Sequence, residues 1–204
     1  MTALLTICLS GACHATRGRS GRQESYENPS RARKRERDRL ACLLRLKRAA
    51  VRYRVPAHPP ASVANPLLLR GRLAGVEFRP FARRGSLLAD CRLLDALRRT
   101  AKILGKHGVR VAVFSNAYSR RRRLPSGRAS RHTAGLAIDV HRFVFAERVL
   151  TVEQDFARGV PCTRAVQPLN RLHCALSKAK IFDRILTPDS DRAHYNHFHW
   201  AVIE

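Results

Sequence analysis

SRHTAGLAIDV, residues 130–140, and HYNHFHWAVI, residues 194–203, are the two stretches of sequence that decide the fold. The second half of the first stretch is typical of a strand, in which successive side chains point to opposite faces. Ile138 and Val140 then share the face that packs on a core. Asp139 shares the other face with a glycine and an alanine, whose small side chains leave space in front of the carboxylate.

The second stretch predicts a closing strand with two histidines on one face. His197 and His199 are two residues apart and therefore project to the same side, while Phe198 and Trp200 fill the opposite side. His194 lies just before them, where it could overhang the same face from a loop.

Pairing of these two strands would bring together four side chains that can bind a cation or transfer a proton. His132 lies in the turn before the first strand, which Gly135 permits because glycine tolerates a positive φ. Together with Asp139, His197 and His199, it would line one pocket.

Imidazoles combined with one carboxylate form a ligand set that suits zinc. Catalytic zinc has three protein ligands and a water molecule, whose pKa the metal lowers to roughly 7. A neighbouring imidazole can accept the proton of that water and pass it to a leaving amine. The pocket therefore predicts a zinc-dependent hydrolase.

Each of these residues alone has an ordinary structural explanation, since histidines on apolar strands are more often core or surface residues than ligands. The HxH pattern occurs by chance, and an aspartate can simply stabilise a turn. However, four of the nine histidines lie in these two short segments. Both segments are otherwise apolar strands, in which aspartate and histidine are disfavoured.

The chain as a whole is strongly basic. It has 40 Lys and Arg against 15 Asp and Glu, which gives a formal net charge of +25. Such a charge predicts attraction to nucleic acid, to an anionic membrane surface or to acidic cell-wall polymers. The arginine bias has a second explanation in the codon usage of a GC-rich genome. Because no nucleic-acid-binding motif is present, we expect no specific nucleic-acid partner.

The N-terminal part predicts export. No stretch has the roughly eighteen apolar residues of a membrane span, and residues 1–15 resemble a short secretion signal. The LSGAC stretch that ends at Cys13 leaves lipidation as an alternative. Residues 16–39 predict a disordered basic linker, and residues 40–204 predict the folded domain. We therefore expect a periplasmic, envelope-bound or secreted protein.

The cysteines favour an oxidising compartment. Six are present, and four of them follow the signal and linker, which is enough for two disulfides of unknown pairing. Buried free thiols are the alternative, and the absence of CxxC spacing argues against a cysteine-based zinc site. The four cysteines are Cys42, Cys91, Cys162 and Cys174.

Helical and alternating patterns follow one another along residues 40–204 and predict an α+β domain with a small, mainly antiparallel sheet and flanking helices. Short strands and turns are expected at residues 63–81. We predict helices at residues 39–50, 87–108 and 168–186, a strand at residues 109–118, a strand pair at residues 135–152, and a closing strand at residues 197–203.

The two motifs resemble those of a known group of enzymes. Ser130, His132, Gly135, Ala137 and Asp139 form the pattern SxHxxGxAxD, and HxH follows downstream. This combination resembles the LAS group of zinc peptidases, named for lysostaphin, the D-Ala-D-Ala carboxypeptidases and sonic hedgehog. Their fold is a small antiparallel sheet with flanking helices.

A narrower resemblance covers the chain from Leu40 to its C-terminus. Here the sequence resembles the bacterial extensin-like C-terminal domain proteins, a branch close to the D-Ala-D-Ala carboxypeptidases. The supporting stretches are CLLRLKRAAVRYR, VANPLLL, DCRLL, SNAYSRR and TPDSDRAHYNHFHW.

The resemblance to the LAS group implies a role for each residue of the pocket. His132, Asp139 and His199 match the zinc ligands, and His197 matches the base or transition-state stabiliser. His194 matches a further active-site histidine of the murein endopeptidases.

Outside the pocket, Arg120 matches an arginine that binds or polarises the substrate, although Arg121–Arg123 follow it directly. The carboxypeptidases with a glutamate base have an acidic residue before the last histidine, and AHYNHFHW contains none. In this chain the base would therefore be His197.

Three functions are compatible with these patterns. The leading hypothesis is zinc-dependent hydrolysis of peptidoglycan stem peptides, of the D,D-carboxypeptidase or endopeptidase type. The second is a catalytically silent, zinc-stabilised cell-wall-binding domain. The third is a basic nucleic-acid binder, which only the net charge supports.

Overall fold

The computed structural model describes residues 28–82, 85–120, 127 and 130–203. The predicted signal segment with Cys13, and the arginines at 121–123, lie outside this part of the chain. Within the described ranges, no helix combines the length and the apolar character that a membrane span requires.

Four α-helices and nine strands form in the described residues. The helices are α1 (Pro29–Arg48), α2 (Cys91–Lys106), the single turn α3 (Val152–Asp155) and α4 (Pro168–Ala179). The strands are β1 (Tyr53–Arg54), β2 (Pro66–Leu69), β3 (Glu77–Pro80), β4 (Leu88–Asp90), β5 (Val111–Asn116), β6 (Ala137–Val144), β7 (Val149–Thr151), β8 (Arg184–Leu186) and β9 (Phe198–Ala201). Short 3-10 turns lie at Cys162–Arg164 and Arg192–His194.

The strands form two sheets. A three-stranded antiparallel sheet has the order β1-β2-β4. A six-stranded sheet has the order β3-β5-β6-β9-β8, with β7 also paired to β6. Only the β3–β5 pair is parallel among these pairings. The predicted α+β class with a mainly antiparallel sheet is therefore confirmed, although the strands divide between two sheets.

The core lies behind strands β6 and β9. Ile138 and Val140 of β6 and Phe198 and Trp200 of β9 are 0% exposed. The two strands pair so that Ile138 faces Trp200 and Val140 faces Phe198. Leucines of α2 complete this apolar layer, because they recur at helical spacing along one face.

Helix α1 is longer than the sequence predicts. It begins at Pro29 instead of Arg39, so residues 29–39 are helical and were wrongly assigned to a disordered linker. Two local features explain the earlier start: Asn28 accepts a hydrogen bond from the backbone N–H of Ser30, and proline suits the first helical position.

The predicted second and third helices are each too long. Residues 88–90 form β4, and Asp90 caps α2 by accepting hydrogen bonds from the N–H of Arg92. Helix α4 ends at Ala179 because Lys180 has a left-handed φ of 48°, and residues 184–186 form strand β8.

The four cysteines of the domain form two disulfides, as their number suggests. Cys42 of α1 is bonded to Cys91 at the start of α2. Cys162 is bonded to Cys174 of α4. The first closes the longer loop, and it holds the C-terminal half of α1 against the domain.

Gly135 joins the two sheets at a point with no room for a side chain. Its φ is +66°, and its carbonyl accepts a hydrogen bond from the N–H of Asp90 at 2.9 Å. A Cβ at this position would lie 2.9 Å from the same backbone nitrogen and 3.2 Å from a methyl group of Val63. The two backbone segments cannot move apart to make room for a Cβ without breaking the hydrogen bond between Asp90 and Gly135.

We expect Gly135→Ala to destabilise the protein more than Gly159→Ala. Both glycines have positive φ, so both substitutions cost about 1 to 2 kcal/mol of backbone strain. A Cβ at Gly159 meets nothing within 4 Å, whereas one at Gly135 meets backbone. Urea unfolding of the two variants measures the difference, and equal losses of stability would contradict the close contact.

Candidate metal centre

Two paired strands hold the first two side chains of the site. Asp139 of β6 lies directly opposite His199 of β9 in the antiparallel register. Because neighbouring positions of both strands point into the core, these two side chains point away from it. The predicted pairing of the two stretches is therefore present in the structure.

His132 reaches the same place from the turn before β6. The turn closes through a hydrogen bond from the N–H of Leu136 to the carbonyl of Arg131 at 2.9 Å. The Ser130 hydroxyl accepts a hydrogen bond from the N–H of His132 at 3.3 Å. His132 is buried, and its Nδ1 has no hydrogen-bond partner among the described residues. Its Nε2 is the nitrogen that faces the other two side chains.

Three donor atoms converge at this point. Nε2 of His132 lies 3.2 Å from Oδ1 of Asp139, and Nδ1 of His199 lies 2.8 Å from the same oxygen. The two ring nitrogens are 3.3 Å apart. Among the described residues, these three side chains are the group of histidines, cysteines and acids that could hold a metal ion.

The separations of the donors fit a small tetrahedral cation. Ligands at ~2.0–2.1 Å from a tetrahedral zinc ion are separated from one another by about 3.3 Å. The observed distances of 2.8 to 3.3 Å match this spacing. Two imidazoles and one carboxylate also leave a fourth tetrahedral position to water or substrate.

The electrostatics favour an ionised carboxylate at Asp139 beside a neutral imidazole at His199. Burial raises the pKa of Asp139, but hydrogen bonds with His132 and His199 outweigh burial and hold this pKa well below its usual range. Burial lowers the pKa of His199, while its contact with Asp139 acts in the opposite direction. These are the protonation states that a metal ion requires of its ligands.

His197 lies beside the donors without being one of the three. It precedes the first residue of β9, it is 8% exposed, and its Nε2 is 3.6 Å from Oδ1 of Asp139. Its Nδ1 lies 2.9 Å from Oδ1 of Asn196. Burial lowers the pKa of His197 to about 4, despite the opposing effect of the Asp139 carboxylate.

His194 lies at the rim of the cluster. Its ring centroid is 5.0 Å from that of His197 and 5.6 Å from that of His199. Its Nδ1 is 2.6 Å from Oδ1 of Asp191, which also caps the 3-10 turn by accepting hydrogen bonds from two backbone N–H groups. The structure therefore brings His194 to the edge of the predicted pocket and fixes its ring.

Arg120 is not part of the cluster in the structure. It is exposed, and its side chain makes no hydrogen bond or ion pair with the described residues. Its neighbour Ser119 donates a backbone hydrogen bond to the carbonyl of His132 at 3.2 Å, so the chain at Arg120 passes close to the turn. The predicted role of Arg120 in binding substrate remains a prediction.

One histidine of this region was not among the predicted site residues. His141 follows Asp139 by two residues on β6, and its ring centroid is 5.0 Å from that of His197. Its Nε2 lies 2.8 Å from the hydroxyl oxygen of Ser115 on β5. The alternation of side chains along β6 was a sufficient signal, since it places residue 141 on the same face as residue 139.

The chain was compared with known families, curated proteins and solved structures. A family model described as extensin-like protein C-terminus matches residues 41–204, which is most of the chain. No curated protein and no solved structure matches it.

We expect the metal-free protein to lose stability as the pH falls from 6.5 to 4. His197 has a lower pKa in the folded protein than the value of 6.5 expected when it is unfolded, so the unfolded state binds more protons in this range. His197 accounts for a loss of at most about 3 kcal/mol in the free energy of unfolding. The lowered pKa of Asp139 reduces stability only at more acidic pH.

Thermal unfolding in a chelator at several pH values measures this effect. The His197→Gln variant should show a flatter pH dependence than the wild type, whereas His58→Gln, at an exposed histidine, should retain the wild-type slope. A His197→Gln profile as steep as that of the wild type would contradict the burial of a neutral imidazole.

Proposed function

The chain belongs to the extensin-like protein C-terminus family, and we propose that it is a zinc-dependent peptidase that cuts stem peptides of bacterial peptidoglycan. The observation that carries the proposal is the convergence of His132, Asp139 and His199 within hydrogen-bonding distance of one another, with His197 beside them. We further propose that the domain is related to the LAS zinc peptidases, whose two motifs occur in the same order.

His132, Asp139 and His199 would hold the zinc ion. Zinc supplies Lewis acidity, which polarises a peptide carbonyl and makes a water molecule acidic enough to ionise near neutral pH. The two histidines supply neutral nitrogen donors, and the aspartate supplies the negative charge that offsets part of the charge of the ion. Strands β6 and β9 are fixed by the core behind them, and the turn of His132 is held by the contact of Gly135 with Asp90, so the three donors need little rearrangement on binding.

His197 is the group in the best position to transfer protons. It lies next to the three donors, and its Nε2 is 3.6 Å from Oδ1 of Asp139, so it would be close to a water molecule or a substrate at the metal. We propose that it accepts the proton of the attacking water and gives it to the leaving amine. The contact with Asn196 holds its ring in place.

His194 closes the rim of the site. Its short contact with Asp191 orients the imidazole toward the cluster, where it can donate a hydrogen bond to the substrate carbonyl. We propose a role in transition-state stabilisation for His194 and a role in binding the substrate for Arg120.

A cleft lined in part by Asp191, the residue that contacts His194, suits a short peptide. Its volume is about 830 Å³, which is in the range of ligand-binding sites. Arginine and aspartate side chains both line it, so it can pair with the free carboxylates and the free amine of a stem peptide. The lining residues include Arg158, Arg192, Asp189, Asp191 and Tyr195.

The two disulfides support an extracytoplasmic location, because such bonds persist in the periplasm and outside the cell. We propose that the protein is periplasmic, bound to the envelope or secreted, which is where peptidoglycan is accessible.

We expect the purified wild-type protein to bind about one equivalent of zinc and the Asp139→Ala variant to lose it. Removal of the carboxylate leaves two imidazoles, which hold the ion much more weakly. Metal analysis after dialysis measures the content, and Asp38→Ala, on the exposed part of α1, serves as a matched control. Retention of zinc by Asp139→Ala would show that the metal is held elsewhere.

We expect the zinc-loaded protein to release D-alanine from muropeptides or to cut their cross-links, and His197→Ala to lower this rate about 100-fold or more. Zinc content should not change, because His197 is not a ligand. His58→Ala is the matched control. Liquid chromatography of the products measures both reactions.

A different outcome would favour the alternative function. Binding of peptidoglycan by the zinc-loaded wild type without any cleavage would indicate a catalytically silent, zinc-stabilised binding domain. If Asp139→Ala abolished that binding together with the zinc, the metal would have a structural role only.

A further inference from the structure

Helix α1 has a surface that the proposed peptidase activity does not use. Arg33, Arg37, Leu40, Leu44 and Arg48 follow one another at intervals of three or four residues, so they form one stripe along the helix. All five are exposed, and we call this stripe the outer face of α1.

The opposite side of the helix is fixed to the domain. Cys42 is bonded to Cys91 of α2, and Leu46 is 0% exposed. Arg45 adds an ion pair with Asp95 of α2 at 3.1 Å. These contacts prevent α1 from turning about its axis, so the outer face is held toward solvent.

Two leucines lie in the middle of the outer face. Leu40 is 49% exposed and Leu44 is 52% exposed. They are four residues apart and therefore adjacent on the helix surface. Their apolar area would gain free energy from any partner that removes it from water.

Positive charge surrounds these leucines. Helix α1 has nine basic residues against two acidic ones, and Glu36 is already paired with Arg39 at 2.9 Å. Arginines precede the leucines on the outer face, and Arg48 follows them. A second copy of the same face would place like charges against each other, which disfavours self-association.

A soluble polyanion would match the arginines but would leave the leucines in water. An anionic lipid surface matches both, since its headgroups pair with basic side chains and its acyl boundary takes up apolar ones. We propose that the outer face of α1 binds the surface of an anionic phospholipid bilayer, with the helix lying in the plane of that surface.

The test is flotation of the full-length protein with vesicles of phosphatidylcholine and phosphatidylglycerol in equal parts. We expect binding to these vesicles and none to vesicles of phosphatidylcholine alone. Arg33→Gln combined with Arg37→Gln should weaken binding about thirtyfold. Leu40→Gln combined with Leu44→Gln should weaken it about tenfold or more.

Matched controls lie elsewhere on the surface. Arg99→Gln combined with Arg184→Gln removes the same net charge, and Val55→Gln combined with Val166→Gln removes exposed apolar area. Both should bind as the wild type does. His199→Ala should also bind normally, because the outer face is independent of the metal centre.

Three results would overturn the proposal. If the leucine variant binds the vesicles as tightly as the wild type, the face recognises charge alone, and the proposed uptake of the leucines by the lipid surface is wrong. If the double arginine variant and the double leucine variant of the outer face both bind the vesicles as the wild type does, another part of the chain contacts the vesicles. If no vesicles bind and sedimentation shows a dimer that the leucine variant loses, the face is an interface between copies.

Discussion

The pairing of β6 with β9 in one register is the constraint on which both the core and the candidate site depend. It sets Asp139 opposite His199 on one face, and it sets Ile138 and Val140 against Trp200 and Phe198 on the other. A shift by one residue would turn the carboxylate into the apolar core and expose the aromatic rings. The large cost of burying an unpaired charge and exposing the rings therefore protects the geometry of the site.

The third donor depends on a different contact. His132 lies in a turn whose last residue, Gly135, is pressed against the backbone at Asp90, where the three-stranded sheet passes into α2. Asp90 also accepts a hydrogen bond from the N–H of Asn65 and forms an ion pair with Arg92. The Asp90 carboxylate thus caps a helix and ties a loop, and the backbone N–H of the same residue supports the turn that holds a proposed zinc ligand.

The charge of the protein is arranged separately from this centre. Residues 29–40, the most basic part of α1, precede the range that the family model matches. The metal centre itself is largely buried and contains two imidazoles and one carboxylate. The large positive net charge therefore has no direct part in the proposed chemistry, and a role in bringing the domain to an anionic surface is consistent with where it lies.

The sequence by itself determined which side chains face the site, because alternation along a strand and the spacing of HxH are local properties of the chain. It also determined the α+β class and limited the folded domain to at most two disulfides. The tertiary structure decided the cysteine pairing, the approach of His141 to His197 and the exposure of Arg120. Those depend on contacts between residues distant in sequence, whose distances no local pattern encodes. The early start of α1 depends on a local signal, the helix cap at Asn28. The high charge of residues 29–39 nevertheless favoured the prediction of a disordered linker.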